Sequence, residues 1–126
     1  MKELTNAEEQ IMQVVWKLQT ALIREVVEAL PEPRPAYNTV ATFLKLLEKK
    51  GFVSYKKYGN TYQYYPLIEQ RAYSHASLKK LISSYFGGSF SSMVSSFVSQ
   101  NDISLKEYEE LKQCVLPPKQ DDELPT

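Results

Sequence analysis

Apolar positions recur at helical spacing over most of this chain and give way to a β pattern once, near the middle. Ile11, Val14, Val15 and Leu18 form the first stripe. Thr5-Asn6-Ala7-Glu8 ahead of it is a capping box, so a helix is predicted from about Asn6 to Lys17. Ile23, Val26, Val27 and Leu30 form a second stripe, with Thr20 as its expected cap and Pro31, Pro33 and Pro35 as its stop. Val40, Leu44 and Leu47, with Phe43 beside them, form a third, and Gly51 suits the position just past its end. Phe52 to Lys57 then reads as a strand, Tyr58-Gly59-Asn60 as a turn, and Thr61 to Tyr65 as the return strand stopped by Pro66.

The helical period returns after Ile68. Tyr73, Leu78, Leu81, Ile82 and Tyr85 predict a long helix to about Phe86, broken by Gly87-Gly88. Ser89 caps a helix carrying Phe90, Met93, Val94 and Phe97, and the box Ser104-Leu105-Lys106-Glu107 opens a last one with Leu105, Tyr108, Leu111 and Val115. Pro117-Pro118 ends the folded part, and 117–126 is expected to be a disordered tail. Three short helices without another layer make a poor core on their own. Residues 68–116 are therefore expected to dimerise through Leu78, Leu81, Ile82, Tyr85, Phe90, Met93, Val94, Phe97, Tyr108 and Leu111. The alternative is that they fold back on the first domain of the same chain.

The third helix changes the picture, because its other side is also patterned. At about 100° per residue, Asn38, Thr42, Lys45 and Lys49 fall together opposite the apolar stripe. Amide, hydroxyl and ammonium groups on one helix face suit the major groove of DNA, although a solvated face has the same look. Charge supports the first reading. The chain is neutral overall, but from Arg34 to Lys57 six bases meet one acid, while from Ile68 onward six bases meet eight acids. The order helix, helix, helix, hairpin is that of a winged helix-turn-helix. The fold class expected is thus mostly α with a small β-hairpin wing: a DNA-binding domain over 1–67 and a three-helix dimerisation domain over 68–116. Asn38 is suited to adenine, Thr42 to a thymine methyl or a polar edge, and Lys45 to guanine, with Lys49, Lys56, Lys57 and Asn60 nearer phosphate. A winged-helix protein-interaction module without DNA remains the alternative.

Little else in the chain carries chemistry. One histidine, His75, and one cysteine, Cys114, give no metal-ligand spacing, disulfide framework or nucleophile pair, so no catalytic residue, metal or cofactor is expected. The N-terminus lacks the pattern of a signal peptide and no apolar run is long enough to span a membrane, so a cytoplasmic protein without membrane insertion is expected.

The ordered set Leu4-Thr5-Asn6-Ala7-Glu8, Val15-Trp16, Thr39-Val40-Ala41-Thr42-Phe43-Leu44, Lys50-Gly51-Phe52 and Tyr64-Tyr65-Pro66 resembles the BlaI/MecI (penicillinase repressor) family. Gly88-Ser89-Phe90, Met93-Val94, Phe97-Val98 and Glu109-Glu110-Leu111 extend the resemblance over about residues 4–116. It implies a dimeric transcriptional repressor on a palindromic double-stranded DNA operator, with Asn38, Thr39, Thr42 and Lys45 on the recognition helix. An arginine is common in the family where this chain has Leu46. The resemblance also implies control by a membrane sensor protease system that leads to cutting of an Asn–Phe bond in the dimerisation domain. The matching bond here is Ser96-Phe97, which keeps the phenylalanine and not the asparagine. Copper-responsive relatives carry a C-terminal cysteine motif that Cys114 alone does not supply.

Overall fold

The computed structural model describes residues 2–114. Val115, expected in the last stripe, and the expected tail at 117–126 lie outside the described residues. The elements in chain order are α1 (Asn6–Leu18), β1 (Ala21–Leu22), α2 (Ile23–Ala29), α3 (Tyr37–Lys49), β2 (Val53–Tyr58), β3 (Thr61–Pro66), α4 (Gln70–Tyr85), α5 (Phe90–Ser99) and α6 (Leu105–Cys114). No helix among the described residues is long and apolar enough to cross a membrane. The chain divides into two compact units, one ending at Ser77 and the other beginning at Leu78.

The first unit is built on the three predicted stripes. The capping box forms as read: the Thr5 N–H donates to Glu8 Oε1 at 2.8 Å, and the Glu8 N–H donates to Thr5 Oγ1 at 3.2 Å. Met12, Val15, Val26, Val40, Leu44, Leu47, Phe52 and Val53 are fully buried together. α3 ends in a Schellman motif. Gly51 takes φ 84°, its N–H donates to the Glu48 carbonyl, and the Phe52 N–H reaches back to the Leu47 carbonyl at 2.9 Å. The chain therefore reverses into β2 with Phe52 already in the core. β2 and β3 pair antiparallel around Gly59-Asn60, with Gly59 at φ 62°. A left-handed glycine at the first position of a two-residue loop is the II′ geometry that matches strand twist.

Two features depart from the sequence reading. Ala21 and Leu22 form a short third strand, pairing antiparallel with Tyr64 and Gln63 in the sheet order β1-β3-β2. As a result α2 starts at Ile23 and Thr20 is not its cap. The Glu25 carboxylate instead accepts from the Leu22 N–H at 2.7 Å. The first unit also extends past Leu67 into α4. Trp16 is buried and its Nε1–H donates to the Ile68 carbonyl at 2.8 Å. Tyr73 packs against Trp16 and edge-on against Phe52, and its hydroxyl donates to Glu9 Oε2 at 2.6 Å. Burial, followed by the hydrogen bond to Glu9, pushes the Tyr73 phenol above its usual pKa.

In the second unit the predicted caps form. Ser89 Oγ accepts from the Ser92 N–H, and Ser104 and Glu107 make the reciprocal box. Nevertheless, α5 and α6 contain no buried residue.

Candidate nucleic-acid interface

α3 is pinned at both ends of its apolar stripe, which fixes what its other face can do. Val40, Leu44 and Leu47 have no accessible surface. At the C-terminal end Lys50 folds under α1 and donates to Glu8 Oε1 at 2.7 Å and to the Glu3 carbonyl at 3.1 Å. Burial pushes the Glu8 carboxyl up, but Lys50 and the Thr5 N–H outweigh it and hold the group below its ordinary pKa. Lys50 is thus a strut between α1 and α3.

With the stripe and Lys50 committed inward, Asn38, Thr39, Thr42, Lys45 and Lys49 are all exposed. The Asn38 side-chain amide makes no hydrogen bond among the described residues, leaving its donor and acceptor free. Thr42 differs. Its Oγ1–H donates to the Asn38 carbonyl four residues back, at 2.9 Å. The hydroxyl proton is engaged, so Thr42 presents a methyl and an acceptor oxygen.

The wing supplies the second side of the site. Lys56, Lys57 and Asn60 are exposed as expected. Neighbouring strand residues leave opposite faces, however, so the two lysines do not act as one patch. Lys57 lies across from Tyr62 and its Nζ sits 5.6 Å from that ring's centroid, whereas Lys56 lies across from Gln63. Tyr62 and Tyr64 leave the same face of β3, Tyr64 within the core and Tyr62 packed against it. Tyr64 is 2% exposed, Tyr55 stacks obliquely on both, and burial raises the Tyr64 phenol above its usual pKa. These rings wall two grooves alongside α3. One is lined by Thr42, Lys45, Leu46, Glu48, Lys49 and Tyr55. The other, toward the wing tip, brings Lys45 together with Asn60, Thr61, Tyr62, Arg24 and Tyr37.

Arg24 and Tyr37 were not picked out from the sequence. The local signal for Arg24 is a cation in the first turn of α2, the helix that in a helix-turn-helix precedes the reading helix. For Tyr37 no local signal exists, because its groove is made by a strand turn more than twenty residues away. Arg34 is taken up by Glu32 at 3.2 Å and Lys50 by Glu8, while no carboxylate among the described residues pairs with Lys45, Lys49, Lys56 or Lys57. Four cations without a carboxylate partner, two on α3 and one on each face of the wing beside it, suit contact with a polyanion.

In the second unit, Leu78, Leu81, Tyr85, Phe90, Phe97 and Tyr108 are exposed, Met93, Val94 and Leu111 are half-buried, and Ile82 is buried in the single chain. Phe90, Val94, Val98, Tyr108 and Leu111 line an open apolar groove between α5 and α6. Ser96 and Phe97 lie inside α5, and their carbonyls accept from the Gln100 and Asp102 N–H groups.

The family model for the penicillinase repressor matches residues 4–116. The chain belongs to that family. It is 32% identical over 111 residues to the methicillin resistance regulatory protein MecI of Mammaliicoccus sciuri, spanning 87% of this chain and 90% of that one. It is 29% identical over 114 residues to the penicillinase repressor of Bacillus licheniformis, spanning 90% and 89%. The solution structure of the DNA binding domain of the repressor BlaI matches with a TM-score of 0.50 and 31% identity, over 58% of this chain and 94% of that domain. That likeness and the strand and helix order above make the fold a winged helix.

Proposed function

We propose that this protein is a sequence-specific DNA-binding transcriptional repressor that acts in the cytoplasm as a homodimer on a two-fold-symmetric operator. The observation that carries this reading is the division of α3. Its inner stripe is wholly buried, and its outer face is a row of exposed polar and cationic groups flanked by a basic wing. Membership of a family that includes named repressors, and the likeness to a repressor's DNA binding domain, support it. In this reading Asn38 bonds an adenine edge, Lys45 reaches a guanine, and Thr39 and Thr42 lie beside them. Lys49, Lys56, Lys57 and Asn60 hold phosphates on either side. Arg24 adds a further phosphate contact from the start of α2.

Residues 2–77 form the DNA-binding head, and the unit beginning at Leu78 joins two copies. The apolar surface left open on α4, α5 and α6 is the reason: a lone copy exposes Phe90, Phe97 and Leu105, which a second copy covers. Cutting at Ser96-Phe97 after a signal from a membrane sensor protease system would sever α5 and release the operator. Because the bond sits in a helix, cutting it requires α5 to open locally first.

Binding of the full-length protein to the duplex upstream of its own gene, titrated with salt, tests the function. The expected result is a preference over random duplex that persists as salt weakens both. Equal affinity for the two would instead favour a protein-interaction module.

A further inference from the structure

We infer that Thr42 and Leu46 read thymine through its 5-methyl group. The inference rests on α3 being the reading helix and says which feature of a base pair part of its face selects. Leu46 is 42% exposed and is the only exposed aliphatic side chain on α3. It follows Thr42 by four residues, so the two are neighbours on the helix surface, and both line the groove beside Tyr55. Thr42 has given its hydroxyl proton to the Asn38 carbonyl, which leaves its methyl as the group that distinguishes it from serine. Two apolar contacts thus stand side by side on a face otherwise made of Asn38, Thr39, Lys45 and Lys49. The apolar feature that base pairs display in the major groove is the thymine 5-methyl. Neighbours four apart on a helix are about 5–6 Å apart, which fits methyl groups one or two base steps apart.

The test uses the full-length protein and a pool of random duplexes. The selected duplex is remade with deoxyuridine in place of each thymine in turn, which deletes only the methyl. Loss of one buried methyl is expected to weaken binding about fourfold at each of two nearby positions. Thr42→Ser, which keeps the hydroxyl bond, should abolish the penalty at one position, and Leu46→Ala should abolish it at the other. Both side chains are exposed, so thermal unfolding of the variants should match wild type. Equal binding of thymine and uracil throughout, or penalties that persist in both variants, overturns the inference while leaving DNA recognition intact. Failure to select any sequence counts against the DNA reading itself and removes this inference with it.

Discussion

Val40, Leu44 and Leu47 in α3 have no accessible surface, whereas Phe90, Phe97 and Leu105 in α5 and α6 keep 46%, 43% and 76% of theirs. Both regions carry apolar stripes of helical period, α3 closed at its C-terminal end by the Gly51 reversal and α5 and α6 opened by their serine caps. The difference is in what lies opposite. In the first unit, α1, α2, the sheet and the start of α4 close over the stripe from several sides. In the second, two ten-residue helices and the end of α4 leave it open. A regular amphipathic stripe therefore specifies a helix and a buried face, but not whether the covering surface comes from the same chain. The first unit's stability should belong to the single chain, and the second's should depend on protein concentration.

The largest expected effect lies in the closed core. Leu44→Ala should cost about 2–5 kcal/mol in denaturant unfolding, independent of protein concentration. A loss below about 1 kcal/mol would mean that the site collapses or that the core is looser than its burial indicates. Next comes the strut. Lys50→Ala leaves the Glu8 carboxylate buried without its cation and should cost about 2 kcal/mol, less than for a fully enclosed pair because Lys50 is itself partly exposed. The pH dependence has a definite sign. The folded-state pKa of Glu8 is lowered, so its contribution is present above the unfolded-state value and is lost as pH falls through the folded one. Acid unfolding followed by circular dichroism should show a shallower slope in Glu8→Gln than in wild type.

The open unit is expected to respond differently. Phe97→Ser should leave the head's unfolding unchanged and weaken self-association by about tenfold to a hundredfold in sedimentation, the range for removing one buried aromatic. Wild-type protein that stays monomeric at high concentration would break the comparison, because the exposed stripe would then need another cover. The smallest effect is at the seam of the head. Tyr73→Phe removes the hydrogen bond to Glu9 and should lower stability by about 1–2 kcal/mol while leaving self-association unchanged.

What could be read in the sequence follows the same division between local and distant causes. The boxes Thr5/Glu8 and Ser104/Glu107, the Ser89 cap, the Gly51 reversal and the two-residue turn at Gly59-Asn60 are all set by residues a few positions apart, and each is present. β1 escaped because two residues carry no period; only pairing with Tyr64 and Gln63, some forty positions on, makes them a strand. The same holds for Trp16, whose acceptor at Ile68 is 52 residues away, and for Lys50, whose partner Glu8 is 42 away. At the interface the helical face was legible because it has a period. The separation of Lys56 from Lys57, the engaged hydroxyl of Thr42 and the arrival of Arg24 and Tyr37 depend on register and packing. Those are also the details that determine which groups remain free to meet a ligand.

The most direct test of the account is a competition between the duplex upstream of the gene and a shuffled duplex of the same composition, run with wild type and with Asn38→Ala. Wild type should prefer the upstream duplex by at least about a thousandfold, as specific binders do over non-specific DNA. Asn38→Ala should lose about 1–3 kcal/mol of that preference while its weak binding to shuffled DNA and its thermal unfolding stay as they were. A variant that discriminates as well as wild type, or a wild type that shows no preference, would contradict the assignment of α3 as the reading helix.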